Sequence, residues 1–250
     1  MASQPDDDPD IASTSGPAPV QDAAEDARDL WHGSYDGVLS TQSVAEPGYP
    51  FGSVIPLCLD QTARPLLLLS HLAQHSRNLA ADPRCALTLF ERPPGEIQQG
   101  RRLTCVADCH TCDDADALAR YCRHFPNGRL YAAQLRFRLF RMEPRGFHFN
   151  GGFATARWLG KDRILIPDPL SSDLEVALLS GLRADRAGWL GSHQAERDDE
   201  PPEPVGLDRR GLTMRDGEQL LRFRAPDPID SWEALANAVD NDRLRPRAPF

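Results

Sequence analysis

The sequence lacks any long apolar run and has no leader-like N-terminus. Its longest apolar stretch, the four leucines at 66–69, has the length of a strand, whereas a membrane-spanning helix requires about 18 or more apolar residues. The first residues are mainly serine, proline and aspartate, without the basic region and apolar stretch of a secretory signal. These absences predict a soluble, cytoplasmic protein that does not enter a membrane.

Phosphate-binding sequence motifs are also missing. Neither a G-x-G-x-x-G sequence nor a Walker sequence occurs, so we predict neither a Rossmann unit nor a P-loop. Lysine is nearly absent as well: Lys161 is the only one, and every other basic residue is arginine. We attribute this bias first to coding preference, although arginine also suits phosphate and carboxylate recognition.

The net charge of −9 comes mostly from one end of the chain. Residues 1–28 carry seven acidic side chains against Arg28, which gives −6 there and leaves −3 for the rest. Residues 1–22 contain no aromatic residue and are rich in Asp, Pro, Ser and Ala, which predicts a disordered acidic tail. The nearly neutral remainder argues against nucleic acid as a partner, because phosphate binding needs a concentrated basic surface.

The six cysteines suggest a metal site at first sight. Four of them lie close together in the sequence with two histidines, namely Cys105, Cys109, Cys112, Cys122, His110 and His124. A closed zinc site normally pairs two short knuckles, and the second knuckle is missing here. The even spacing of Cys105 and Cys109 places both on one face of a predicted strand. We therefore predict free thiols and no metal site.

Short strand-like segments separated by glycine and proline dominate residues 23–168, the first predicted domain. An entry helix is predicted at 23–32, strands near 37–44, 52–59, 65–70, 85–90, 102–109, 134–142 and 145–150, and further helices near 74–81 and 113–124. Closely spaced strands with few helices are typical of an antiparallel barrel and not of βαβ units.

Residues 169–250 are predicted to form a second, smaller α+β domain. A helix is predicted at 173–190, followed by a polar loop at 194–204. The dipeptide Asp216-Gly217 indicates a β-hairpin within 205–223. Ser231 is a favourable N-cap for a closing helix that ends at Val239.

Several short motifs resemble those of a known family. They are GYPFGSVIP at 48–56, SHLAQHSRNL at 70–79, DPR at 82–84, YCRHFP at 121–126 and GGF at 151–153. In this order they resemble the FMN-binding split β-barrels related to pyridoxamine 5′-phosphate oxidase, in the branch that includes bacterial haem-utilisation proteins. Residues 206–223 resemble the small domain that often follows the barrel there. Over residues 28–239, the resemblance implies an antiparallel split β-barrel with a small C-terminal α+β domain, a homodimer with a shared pocket, and FMN as cofactor.

The resemblance also implies a cofactor site. The expected cofactor-binding residues are Phe51, Gly52, Ser53, Ser70, His71, Leu72, His75, Arg77, Asn78, Gly151, Gly152 and Arg157. Residues 70–78 run from a strand end into a short helix, whose first N–H groups and dipole favour a phosphate. Ser70, His75 and Arg77 would donate hydrogen bonds to that phosphate, and Gly52 would permit close backbone approach. Arg157 and Trp158 are expected at the dimer seam.

Three functions remain open. The first is an FMN-dependent oxidoreductase that acts on an unidentified small molecule, for which no general acid or base is identified; His71, His75 and His148 are available. The second is a haem-binding or haem-degrading protein, but the usual C-terminal ligand is missing because no histidine follows His193. His148 or His193 would then have to bind the iron. The third is a binding module that has lost its cofactor, suggested by that missing histidine and by an altered helix at 181–186.

Overall fold

The computed structural model describes residues 22–93, 95–151, 156–167, 170–185, 189 and 202–246. Nearly all of the predicted acidic tail therefore lies outside the described residues, as do Gly152, His193 and most of the predicted polar loop. Within the described ranges, no helix is both long and apolar enough to cross a membrane.

The described elements form two antiparallel sheets with short helices. In chain order they are α1 (Ala23–His32), β1 (Asp36–Gln42), β2 (Pro50–Pro56), β3 (Cys58–Leu59), β4 (Pro65–Ser70), α2 (Gln74–Ala81), β5 (Arg84–Phe90), a 3-10 turn (Ile97–Gln99), β6 (Arg102–Thr111), α3 (Ala115–His124), α4 (Gly128–Gln134), β7 (Phe137–Asn150), β8 (Arg157–Leu159), α5 (Lys161–Ile164), α6 (Ser172–Asp185), β9 (Glu203–Asp208), β10 (Gly211–Asp216), β11 (Gln219–Arg224), α7 (Trp232–Asp240) and β12 (Arg245–Pro246).

The larger sheet is a curled half-barrel. Its strand order is β2-β1-β5-β6-β7-β4-β3, with β8 paired to β7. The curl brings β2 into contact with β4, which lies near the other end of the strand order. Side chains of alternate positions fill the inside, where Trp31 packs edge-on against Phe147 with ring centroids 4.9 Å apart. Cys105 and Cys109 are buried on this inner face, as their even spacing predicts.

Strand β7 differs from the prediction. We expected two strands at 134–142 and 145–150, interrupted around Pro144, and the structure has one strand from Phe137 to Asn150. A register shift opposite Val106 and Ala107 places a bulge beside Pro144, so the strand continues past a residue that cannot donate a backbone hydrogen bond. Residues 128–134, in front of it, form helix α4.

The smaller sheet has the order β12-β11-β10-β9, and α6 and α7 contribute to the same core. The hairpin between β10 and β11 turns at Gly217, whose φ of +58° lies in the left-handed region that glycine adopts without strain. Ser231 caps α7, and its Oγ accepts a hydrogen bond of 3.2 Å from the N–H of Ala234. The end of the predicted polar loop is wrong, because Glu203 and Pro204 begin strand β9. The split barrel with a small α+β domain is confirmed as the fold.

A buried carboxylate joins the two parts of the fold, which we call lobes: α1 to α5 with the larger sheet form the N-terminal lobe, and α6 to β12 with the smaller sheet form the C-terminal lobe. Glu175 of α6 is completely buried and forms ion pairs with Arg120 and with Arg123, the latter at 2.7 Å. Glu175 also accepts hydrogen bonds from the side chain of Gln61 at 3.2 Å and from the backbone N–H of Leu207 at 3.0 Å. These contacts fix α6 and β9 against α3 and thereby hold the β10–β11 hairpin over one end of the barrel.

Candidate functional site

A cavity of about 640 Å³ lies between the barrel end and the β10–β11 hairpin. It is lined by Val54, Ile55, Pro56, Leu68, Leu69, Ser70, Ala73, His75, Tyr121, His124, Phe125, Pro126, Asn127, Gly128, Tyr131, Phe137, Arg215, Gly217 and Glu218. Apolar and aromatic walls with a few polar groups are typical of sites for small molecules and cofactors. We refer to this space as the hairpin cavity.

His75, in the first turn of α2, is the first polar group of the hairpin cavity. Its Nδ1 lies 3.1 Å from the Oγ of Ser53 on β2. Its Nε2 is buried and finds no hydrogen-bond partner in the described part of the chain. Half-burial of the imidazole lowers its pKa, so the ring is neutral near pH 7. When Nδ1–H donates to Ser53, Nε2 carries a lone pair; when the hydroxyl donates, Nε2 carries the proton.

His124, at the end of α3, is the second imidazole on the same cavity. Its Nδ1–H donates to the carbonyl of Arg120 at 2.9 Å, because a carbonyl can only accept. Burial, with Arg120 adding to it, lowers its pKa to about 3, so Nε2 keeps its lone pair at neutral pH. A Cβ at position 206 would lie 2.6 Å from that Nε2, and Gly206 therefore lets the ring fit between the lobes.

The low pKa of His124 predicts a specific loss of stability in acid. In the unfolded chain the imidazole binds a proton near its ordinary pKa of 6.5, whereas in the folded chain it does so near 3. Stability is therefore lost as the pH falls below 6.5, by about 2 kcal/mol at pH 5 for this group. Urea denaturation at pH 7 and at pH 5 measures the free energy of unfolding at each pH. Its decrease from pH 7 to pH 5 should be about 2 kcal/mol smaller for His124→Gln than for the wild type. Equal losses in the two proteins would contradict the buried, neutral state of His124.

The N-terminus of α2 is the third polar feature. Ala73 occupies its N-cap position and has no side-chain acceptor for the first N–H groups of the helix. Ser70 and Ala73 both line the hairpin cavity, so these N–H groups and the positive end of the helix dipole lie at its edge. An anionic group of a ligand would be favoured at this edge.

The comparison with known proteins assigns the family. Residues 18–159 match the CREG beta-barrel family. The chain belongs to the CREG beta-barrel family. This match confirms the predicted resemblance to a β-barrel family.

Relatives of this CREG beta-barrel chain include a curated plant protein. The non-canonical haem oxygenase HOZ of Arabidopsis thaliana, a chloroplastic protein, is 33% identical over 135 residues, which is 53% of this chain and 41% of the relative. The chain thus spans less than half the length of that relative.

Solved structures show the same fold. A protein of unknown function from Agrobacterium tumefaciens superposes with a TM-score of 0.65 at 20% identity, over 91% of this chain and 98% of the other. A haem-binding protein from Mycobacterium smegmatis has a TM-score of 0.53 at 22% identity, over 88% and 96% of the two chains. Both superpositions cover most of this chain and therefore extend beyond residues 18–159, the range that the family model matches.

Some of the predicted cofactor residues come together in this CREG beta-barrel chain. Ser70 and His75 line the hairpin cavity, and Ser53 contacts His75. Asn78 is completely buried, where its amide group bonds Thr41 at 2.9 Å and the N–H of Val44 at 3.0 Å. Asn78 therefore holds the β1–β2 loop in place.

The remaining predicted residues lie elsewhere. Exposed positions are occupied by Phe51, Gly52, His71, Leu72, Arg77, Gly151 and Arg157, while Gly152 lies outside the described residues. The described lining of the hairpin cavity includes none of them. Their role in cofactor binding stays a prediction, and it would require a surface completed by a second subunit.

The outer face of the barrel sheet carries two adjacent rows of uncharged residues. Cross-strand register aligns Val54, Val38, Thr88, Thr104, His148 and Trp158 in one row and Gly52, Ser40, Ala86, Val106 and Gly146 in the next. Val54 is 74% and Trp158 65% exposed. His148, a candidate iron ligand on sequence grounds, belongs to this face and packs edge-on against Trp158. We call these two rows the outer face.

Sequence reasoning missed His124 and Arg215 as residues of the cavity. His124 belongs to the motif at 121–126 and lies near the cysteines, but neither observation predicts a cavity residue, and the periodicity of its helix indicates only one more core-facing position. Arg215 follows the alternating pattern of a hairpin strand, which contains no signal for a cavity. The lowered pKa of His124 and the burial of the Arg215 Nε both result from the packing of the two lobes, which the sequence does not reveal.

Proposed function

We propose that the protein binds haem in the hairpin cavity and takes part in haem utilisation. The observation that supports this most directly is the pair of neutral imidazoles, His75 and His124, on one largely apolar cavity. Neutral imidazole nitrogen is the common protein ligand of haem iron. The relative named as a haem oxygenase, at 33% identity over 135 residues, supports the same class of ligand.

The residues present fit such a group. The Nε2 of His75 is buried and without a hydrogen-bond partner among the described residues, which is the arrangement expected of a group that a ligand satisfies. Ser53 can accept from Nδ1–H and so hold the ring in the tautomer and orientation that a metal ligand needs. Burial keeps His75 from competing protonation near neutral pH. We therefore assign iron binding to His75 and positioning to Ser53.

The remaining walls set the environment. Haem supplies the redox chemistry of its iron when bound. Leu68, Tyr121 and Phe137 contribute apolar surface against which a planar macrocycle can pack and from which water is excluded. His124, neutral at working pH, adds a hydrogen-bond acceptor and no charge. Oxidative breakdown of the bound haem is the activity we propose on the strength of the plant relative.

FMN is the second candidate ligand, and the N-terminus of α2 favours it. The uncapped N–H groups beside Ser70 and Ala73 suit the phosphate of a flavin nucleotide. In that case His75 would carry its proton on Nε2 and donate to the phosphate or to a carbonyl of the ring. An FMN-dependent oxidoreductase with a small-molecule substrate follows from this alternative.

Parallel titrations of the purified full chain with haemin and with FMN separate the two candidates. We expect saturation at one haemin per subunit with a sharp Soret band and no saturable uptake of FMN. Uptake of FMN with the two-band flavin spectrum, and no Soret shift with haemin, would replace our proposal by the flavin alternative. A protein that takes up neither ligand would support the cofactor-free binding module instead.

We further propose a homodimer that pairs through the outer face. A sheet face with no charged side chain in its two rows, and with Val54 and Trp158 largely exposed, is the kind of patch that marks a protein interface. A second copy would cover Trp158 and bring the exposed residues Phe51, Gly52 and Arg157 next to a partner surface.

The dimer proposal predicts a large change in assembly for a single substitution. Trp158→Asp places an unpaired charge on the outer face, so we expect a dimeric wild type and a monomeric variant by light scattering at micromolar concentration. Val176→Asp is the matched control, because Val176 is 45% exposed on α6, outside the outer face. It should leave the dimer intact. A monomeric wild type, or a dimeric Trp158→Asp variant, would refute this interface.

A further inference from the structure

The C-terminal lobe supplies one cation to the hairpin cavity. Arg215 of β10 lines it, next to Gly217 and Glu218 of the hairpin turn. Its side chain is 25% exposed, and its Nε is buried without a hydrogen-bond partner in the described ranges. His75 and Arg215 are thus two residues of one cavity that each keep a buried nitrogen unsatisfied. Because Arg215 lines the cavity and its side chain is partly exposed, a ligand in the cavity can contact its guanidinium group.

The position of Arg215 is fixed by its neighbours. Glu203 lies directly opposite in the β9–β10 ladder and pairs with the Nη2 of Arg215. Arg183 of α6 shares the same carboxylate at 2.8 Å. Two guanidinium groups on one carboxylate leave a net positive charge, and Glu203 holds the Nη2 end of the Arg215 side chain in place. Glu218, the one carboxylate in the described lining of the cavity, is exposed, so water screens its charge.

We infer that Arg215 recognises an anionic group, a carboxylate or a phosphate, on the ligand of the hairpin cavity. The inference rests on the proposed function in that a ligand occupies this cavity. A partly exposed guanidinium group forms short, charge-assisted hydrogen bonds to such oxygens, and these are stronger than bonds between neutral groups. The C-terminal lobe is then part of the binding site, and an uncharged ligand of the same shape binds less well.

Pairs of ligands that differ only in the anionic group test this inference. The wild type, Arg215→Gln, Arg215→Lys and Arg183→Gln are titrated with haemin and with haemin dimethyl ester, and also with FMN and with riboflavin. Dissociation constants come from quenching of tryptophan fluorescence in one buffer. Arg183→Gln is the matched control, because Arg183 shares Glu203 but is not part of the described cavity lining.

We expect the wild type to bind haemin about 10-fold or more tightly than its ester. Arg215→Gln should remove that preference, Arg215→Lys should restore part of it, and Arg183→Gln should keep it. A preference that survives in Arg215→Gln, or a wild type that binds haemin and ester equally, would overturn the inference. If FMN binds in place of haemin and Arg215→Gln lowers its affinity to that of riboflavin, the haem proposal fails and the role of Arg215 stands.

Discussion

Replacing His75 by alanine is expected to weaken haemin binding by at least about 100-fold and to change the Soret band. Loss of a residue that only orients a metal ligand typically costs about 10- to 100-fold in affinity, and loss of the ligand itself should cost no less. The reason lies in the position of His75: it lies in the first turn of α2 and lines the hairpin cavity, and its buried Nε2 has no hydrogen-bond partner among the described residues. Absorption titration with haemin measures the effect.

Two further variants sharpen the result. Ser53→Ala leaves the imidazole in place but removes the hydroxyl 3.1 Å from Nδ1, so we expect a smaller loss of about 10-fold. His71→Ala is the matched control, since His71 is exposed and lies outside the described cavity lining. If His71→Ala and His75→Ala lose affinity equally, or if neither does, His75 does not bind the iron.

Glu175→Ala is expected to lower the free energy of unfolding by about 3–5 kcal/mol. The substitution leaves two arginines, Arg120 and Arg123, without the carboxylate that both use, and Arg120 is itself buried. It also leaves the buried N–H of Leu207 without its acceptor. An uncompensated buried charge costs much more than the net contribution of the intact pair, so the loss is large even though buried ion pairs add little by themselves.

Urea denaturation measures this loss, and Glu233→Ala controls for it. Glu233 is an exposed residue in the first turn of α7, in the same lobe, and its removal should cost less than about 1 kcal/mol. The loss for Glu175→Gln should lie between those for Glu175→Ala and Glu233→Ala, because the amide oxygen of glutamine can still accept a hydrogen bond from the N–H of Leu207. A loss below about 1 kcal/mol for Glu175→Ala would show that the lobes do not depend on this contact.

Local patterns in the sequence were enough to predict most of the fold. Alternation of apolar residues predicts strands such as β6, and Asp216-Gly217 predicts the hairpin at the correct turn. The single long strand β7 could not be predicted, because a proline usually ends a strand and only the bulge opposite Val106 and Ala107 accommodates it. Helix α4 likewise depends on packing, with Tyr131 stacked against Phe137 at 5.1 Å.

The candidate site was predictable only in part, for a related reason. Ser70 and His75 belong to one strand-to-helix segment, so a local motif identifies them. His124 and Arg215 reach the same cavity from α3 and from the second lobe, through the contacts of Glu175 that hold the lobes together. Arg215 has no local signal, and the motif at 121–126 contains His124 without indicating a cavity, because both roles arise from distant parts of the chain that only tertiary packing brings together.

The most direct test of the account is the nitrogen hyperfine spectrum of the ferric haem-loaded protein. Chains prepared with ¹⁵N-histidine and with ordinary histidine are compared by electron–nuclear double resonance, for the wild type and for His75→Ala. We predict an imidazole coupling that changes with the isotope in the wild type and is lost in His75→Ala. The same isotope-sensitive coupling in both proteins, or in neither, would contradict the assignment of His75 as the residue that binds the iron.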